Sequence, residues 1–310
     1  MARAVLRVIA AGPHCSVQDG GRAGLMRFGV PASGAMDRAA LALANHALGN
    51  APDAAAVEVS LGGLVLEVES GALSVAVAGG GFVVEAGAAR TGSWSVVSLR
   101  EGDRLAIRRG PWGAWCTIAF AGVLVAEPWL GSVATHALSG LGGGAVVASR
   151  RLVVEQARTV GARPMACPVW ARPRGDAVAL VIGPQERFFA PERIEMLLGA
   201  RFHLTDAYDR MGVRLRGPSL APEGALGIPS EPVLRGSVQV AGDGVAAVLM
   251  ADHQTTGGYP KIATLVGSEL DAFAQLRPHA EVRFRSVTPE QAVAMVRLRA
   301  AALRRLLERT

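Results

Sequence analysis

Apolar positions along the chain fall mostly in short runs broken by glycine, at residues 4–9, 64–68, 73–78, 95–99, 104–107, 116–120, 178–182, 213–215, 237–240, 246–250 and 281–284. Runs of this length with glycine punctuation predict the strands of barrels or sandwiches, not a parallel sheet alternating with helices. Helical periodicity is confined to a few segments. Residues 33–50 open with Ser33, a competent N-cap, carry Met36, Ala40, Leu43 and Ala47 on one face, and end in Gly49 and Asn50, which suit a left-handed stop. A second helix is predicted from Pro191 through Ile194, Leu197 and Leu198 to Gly199. A third, over 288–309, has Thr288 as N-cap, Pro289 in the first helical position and Gln291 completing a capping box, with Val296, Ala300, Leu303 and Leu307 on one face. A short helix fits between 268 and 276. The fold class read from this pattern is mainly β with a few helices.

The chain has 310 residues, half of them hydrophobic, enough for large cores in two or three domains at about 100–200 residues each. The proline-bearing stretch 156–175, QARTVGARPMACPVWARPRG, lacks periodicity and is predicted to be a linker. It divides the chain near residue 172 into domains 1–172 and 173–310. The glycine cluster 140–145 has neither a preceding strand nor αβ alternation and reads as a flexible loop, not a dinucleotide site. Gly79, Gly80 and Gly81 read as a tight strand corner.

Several classes of function are excluded. There is no apolar run of about 18 residues that could span a bilayer. The apolar N-terminal stretch is interrupted by Arg7, unlike a signal peptide, so the expected compartment is cytoplasmic. Cys15, Cys116 and Cys167 are odd in number and far apart, which fits neither a disulfide framework nor a zinc cage. His14, His46, His136, His203, His253 and His279 show no metal-binding spacing, so no metal is expected. The net charge of +6 raises the possibility of nucleic acid. The arginines are scattered, however, and the densest group (Arg297, Arg299, Arg304, Arg305 and Arg309) has no aromatic residue for base stacking, so it reads as a solvated helix face.

Of 32 basic side chains only Lys261 is a lysine. Arginine is a wide planar fork, whereas lysine is a compact ammonium that fits a narrow pocket. A sole lysine in the glycine-rich turn TTGGYPK is therefore a candidate working group. It lies in 251–261, ADHQTTGGYPK, which follows an apolar strand and brings an acid, an amide and hydroxyls into one predicted loop. Three further polar segments stand out. Residues 17–37 lead into the first predicted helix, where unpaired amides can bind an anion; Ser33 as a simple cap, with Asp37 complementing the helix dipole, is the plainer reading. Asp209 and Arg210 are adjacent and fit either a pocket or a structural ion pair in a turn. Glu231, between prolines, reads as a loop residue with a possible pocket role. The chain's two tyrosines, Tyr208 and Tyr259, fall in two of these segments. Such a pocket suits a small amide, carboxylate or phosphate, with Lys261 and Arg210 facing an oxyanion and Asp252 or Asp209 accepting an amide N–H or acting as base. No GxSxG-type nucleophile is present.

The motifs SVQDGGRAG (16–24), FGVPASGAMD (28–37), ALANHALGN (42–50), AAAVEVSLGG (54–63), YDRMGVRLRGP (208–218), LMADHQTTGGYPKIATLV (249–266) and AQLRP (274–278) together resemble the biotin-dependent carboxyltransferase-like family. That family includes the C subunit of 5-oxoprolinase, allophanate hydrolase subunit 2 and the kinase-inhibitor antagonist protein. The resemblance implies cyclophilin-like β-barrel subdomains and a B-type partner subunit. It further implies ATP-dependent opening of 5-oxo-L-proline to L-glutamate in a complex with A- and B-type subunits. ATP is then needed at the level of the complex, and no biotin is bound covalently to this chain. The alternatives are biotin-dependent carboxyl transfer to urea or a similar small amide, and non-catalytic regulation of a B-type partner. Carried over by motif, Lys261, Asp209, Arg210 and Asp252 are the expected catalytic residues. Gln254, Thr255, Gly257, Tyr259, Gln18, Asp19, Arg22, Ser33 and Asp37 are the expected substrate-binding ones. Neither nucleic acid nor membrane is an expected partner.

Overall fold

The computed structural model describes residues 2–173, 175–224 and 228–308. Arg309, at the end of the predicted third helix, lies outside them. Two compact units are present: Met1–Arg22 with Ser33–Arg172, and Ala23–Ala32 with Pro173–Thr310.

The first unit stacks two antiparallel sheets. One runs in the order Val123–Leu124, Arg151–Glu155, Arg3–Ala11, Leu64–Ser70, Arg104–Arg108, Val83–Ala86 and Ala89–Gly92. The other runs Arg163–Pro164, Ser95–Arg100, Ala72–Ala78, Trp115–Phe120, Ala56–Ser60 and Ser16–Gln18. Leu6, Val8, Leu66 and Ile107 of the first sheet share a core with Val57, Val75, Val97 and Ile118 of the second. The first sheet alternates, turning Glu67 and Glu69 outward, where Arg7, Arg104 and Arg151 pair with them across neighbouring strands. Arg7, Arg104 and Arg151 are thus paired in place. The second sheet is covered on both sides, because α1 (Arg38–Ala47) packs on Ala72–Ala78 and Trp115–Phe120. Those two strands accordingly read as nearly continuous apolar runs.

The second unit is built on eight strands in the order Glu281–Val282, Phe202–Tyr208, Gly212–Arg216, Ala246–Leu249, Ser237–Val240, Lys261–Leu265, Val178–Ile182 and Phe284–Ser286. Its two outermost strands are halves of one segment, separated only by Arg283, so the sheet curls until its edges are joined by a single residue. The run predicted as one strand over 281–284 divides because Val282 pairs with Phe202 while Phe284 pairs with Val178 on the opposite edge. This near-closed barrel removes most exposed strand edges. Around it lie α2 (Pro191–Gly199), α3 (Leu270–Ala274) and α4 (Pro289–Leu307).

The mainly β reading holds, with four α-helices among the described residues. The first helix starts later than predicted. Its N-cap is Asp37, whose Oδ1 accepts from Ala40 N at 2.9 Å, while Ser33 lies upstream with φ 52°. The capping box at Thr288 and Gln291 is present as predicted. The stretch predicted as a linker is instead tied to the first unit: Arg163–Pro164 pairs with Ser95–Arg100, and Met165 N donates to Trp94 O at 2.7 Å.

Candidate functional site

Lys261 is the first residue of a central barrel strand and is 2% exposed, not carried outward on a loop. Asp252 and His253 are also enclosed, at 0% and 3% exposure. The exposed part of the predicted loop is therefore confined to residues around Thr256 and Tyr259. Lys261 Nζ has no hydrogen-bond partner among the described residues, and its nearest charge is Glu231 Oε2 at 3.5 Å. That carboxylate is held by another group, Gln185 Nε2, which donates to Oε2 at 2.6 Å. Gln185 Oε1 in turn accepts the backbone N–H of Lys261 at 2.8 Å. Glu231 is positioned by its own short ladder, pairing with Gly257 while Pro232 pairs with Thr256.

Beside this cluster, Gln254 Nε2 donates to Gln239 Oε1 at 3.1 Å. Gly257 makes room for the amide pair, since a Cβ there would lie 2.5 Å from Gln239 Nε2. Asp209, Gln239, Gln254 and Tyr259 line a cleft of about 340 Å³ together with apolar residues such as Ala247 and Leu249. Asp209 Oδ1 accepts from Met211 N at 2.7 Å and Gly212 N at 3.1 Å, which fixes the turn and points the carboxylate's charge at backbone donors. Thr255 contributes its carbonyl to Val233 N at 3.1 Å. The two tyrosines part company: Tyr208 Oη donates to Ala274 O, whereas Tyr259 is 54% exposed on the cleft.

Arg210 and Asp252 pair with each other. Nε meets Oδ2 at 2.9 Å and Nη2 meets Oδ1 at 3.0 Å, with the side chains 1% and 0% exposed. A closed bidentate pair of this kind fixes the Tyr208–Gly212 turn against the 252–261 segment rather than presenting either group to a ligand. Burial holds the neighbouring His253 below its ordinary pKa, and its Nδ1 lies 2.6 Å from Gln254 O.

Gln18, Asp19, Arg22, Ser33 and Asp37 lie in the first unit. Asp19 ties down the 132–133 turn, accepting from Ser132 Oγ at 2.6 Å and Val133 N at 2.8 Å. Arg22 donates to Trp129 O at 3.2 Å and Ser132 O at 3.3 Å, and also bonds Ala134 O. Gln18 Nε2 donates to Ser16 Oγ at 2.9 Å and Thr135 O at 3.0 Å. Among the described residues, Gln18 Oε1 and Ser33 Oγ are buried with no hydrogen-bond partner. The amide just before Asp37 does not wait for an anion: Met36 N donates to the buried Glu58 Oε2 at 2.6 Å. Burial pushes the nearby Cys15 thiol up to about 11.

Three members of the second-unit cluster, Gln185, Glu231 and Gln239, were weakly marked or unmarked by sequence. Glu231 stood out only as a lone acid between prolines, and the two glutamines carried no signal. Their contacts with Lys261, Gln254 and Tyr259 span many residues of chain and arise only when the barrel forms.

The second unit is thus a near-closed barrel that encloses the chain's one lysine beside the Gln185 carboxamide and the Glu231 carboxylate. The chain belongs to the carboxyltransferase domain, subdomain A and B, family, whose pattern matches residues 28–286. It is 32% identical over 295 residues to the C subunit of 5-oxoprolinase from Escherichia coli, a match covering 93% of each chain. It is 28% identical to urea amidolyase of Saccharomyces cerevisiae, covering 97% of this chain and 18% of that protein. The crystal structure of TTHA0988 superposes with a TM-score of 0.82 at 32% identity, over 91% of this chain and 56% of that one. This chain therefore spans little more than half the length of TTHA0988. No helix among the described residues is long and apolar enough to cross a membrane, and these residues contain no group of three or more potential metal ligands.

Proposed function

We propose that this chain is the C subunit of an ATP-dependent 5-oxoprolinase, converting 5-oxo-L-proline to L-glutamate with A- and B-type partner subunits. The observation that carries the reading is the match to the Escherichia coli protein over 93% of both chains. The site chemistry agrees with it. A lactam offers a carbonyl oxygen that gains negative charge as the ring opens, and Lys261 supplies a cation with uncommitted N–H groups for such an oxygen. Gln254, Tyr259 and Asp209 line the adjacent cleft and are the residues proposed to bind substrate there, while Gly257 leaves room for the Gln239 and Gln254 carboxamides. Arg210 and Asp252 serve as scaffold to this site, through their closed pair. In the first unit, Gln18 Oε1 and Ser33 Oγ are buried with no hydrogen-bond partner among the described residues, while Asp19, Arg22 and Asp37 hold loops and a helix end in place.

ATP acts at the level of the assembled complex, making the ring amide open to water by phosphorylation. Covalent biotin on this chain does not fit, because its only lysine is 2% exposed and faces Glu231. The similarity to urea amidolyase favours one second reading, carboxyl transfer to urea or a related amide from a biotinylated protein supplied in trans.

The test is glutamate release from 5-oxoproline and ATP by the chain mixed with its A- and B-type partners. Release that stops when this chain is left out is the expected result. Release that persists without it, or silence from a complex shown to be assembled, contradicts the reading. In the silent case, activity on addition of a biotin carrier, bicarbonate and urea selects carboxyl transfer.

A further inference from the structure

Lys261 Nζ is charge-paired with Glu231 but has no hydrogen-bond partner among the described residues, and Gln185 touches both residues. The Gln185 carboxamide bridges the two groups: its Oε1 holds the Lys261 backbone at 2.8 Å and its Nε2 holds Glu231 Oε2 at 2.6 Å. A second link, Gln185 N to Lys261 O at 3.2 Å, registers the two segments. Glu231 Oε2 then stands 3.5 Å from Nζ, near enough for Coulomb attraction but longer than an ordinary N–H···O hydrogen bond. An ammonium left alone in this setting would be costly, because burying an unpaired charge forfeits its hydration. A carboxylate bonded directly to it would instead occupy its donors. The observed arrangement avoids both. Glu231 is also the exposed member of the set, its side chain 44% accessible against 3% for Lys261.

We propose that Gln185 and Glu231 are the positioning residues for Lys261: Glu231 supplies its counter-charge, and Gln185 holds that carboxylate back so that the lysine N–H groups stay available to a ligand oxygen. The positioning itself does not depend on which substrate the complex takes. Its catalytic consequence rests on the reading of Lys261 given above. Removal of Gln185 frees Glu231 to close on Nζ, and removal of the Glu231 charge leaves the lysine without its counter-ion.

The single lysine makes the test direct. Growth on lysine labelled with ¹³C at Cε gives the full chain one lysine signal, whatever its activity. Gln185→Leu and Glu231→Gln are each expected to shift that signal from its wild-type position, and Glu231→Asp to return it most of the way. In the assembled complex, Gln185→Leu and Glu231→Gln should lower kcat by up to about 10²-fold, the cost of misplacing a reacting group by about 1 Å, with KM changed much less. An unmoved lysine signal in both variants, each folded by its melting curve, overturns the proposal. A moved signal with normal turnover upholds the positioning and instead overturns the catalytic reading of Lys261.

Discussion

At the residue scale, the features that decide the site are ionic. The Arg210–Asp252 pair is enclosed and bidentate, so removing one partner leaves an uncompensated buried charge. Arg210→Ala should cost about 3–5 kcal/mol in chemical denaturation, far more than cutting an exposed pair such as Arg108–Glu85. A loss under about 1 kcal/mol would show that the pair is not closed in solution. His253 carries a pH signature. Burial lowers its folded pKa below 6.5, so the folded state binds fewer protons than the unfolded chain in that range. Its contribution to stability is present above pH 6.5 and is lost as pH falls through the folded value. Denaturation midpoints measured from pH 7.5 down to 5 should fall more steeply for the wild type than for His253→Gln; parallel curves would refute the assignment. Lys261 was legible in the sequence because a single lysine among arginines is a compositional anomaly. Glu231 and Gln185 were not, since an acid between prolines and a glutamine after Gly183-Pro184 look like ordinary loop residues until the barrel brings them to Lys261.

Among elements, helix ends were the most legible features, because caps are written in local sequence. Thr288, Pro289 and Gln291 form the capping box that their spacing predicts, and Pro191 opens α2. Ser33 misled because a serine ahead of an apolar helix looks like a cap, yet Gly34 and the close Gly20–Gly21 turn take the chain through left-handed backbone first. Asp37 is the cap, so Asp37→Ala should destabilise the first unit by about 1 kcal/mol while Ser33→Ala leaves α1 intact. Equal losses from both, followed by thermal melting, would contradict the capping assignment. Strands were legible where glycine bounded an apolar run. They were obscured where polar side chains alternate, as in Phe202–Tyr208, and where one run serves two edges, as in Glu281–Ser286.

At the scale of the whole molecule, the chain folds as two β-rich units, the first a double sheet with a covering helix and the second a near-closed barrel. The mainly β class follows from glycine-punctuated apolar runs. The pairing of edge strands across the barrel does not, because strand partners far apart in sequence are chosen by packing. Family membership and the match to the C subunit of 5-oxoprolinase give this architecture a candidate reaction, for which the enclosed Lys261 is the proposed working group. The central claim is that Lys261 does chemistry in a 5-oxoprolinase complex. The most direct measurement is the rate of glutamate release from 5-oxoproline and ATP by the reconstituted complex carrying Lys261→Ala, with assembly checked by co-purification. The account predicts a complex that assembles normally and turns over about 10²–10³-fold more slowly, as expected for loss of one donor to a developing oxyanion. An assembled complex with wild-type turnover would contradict it.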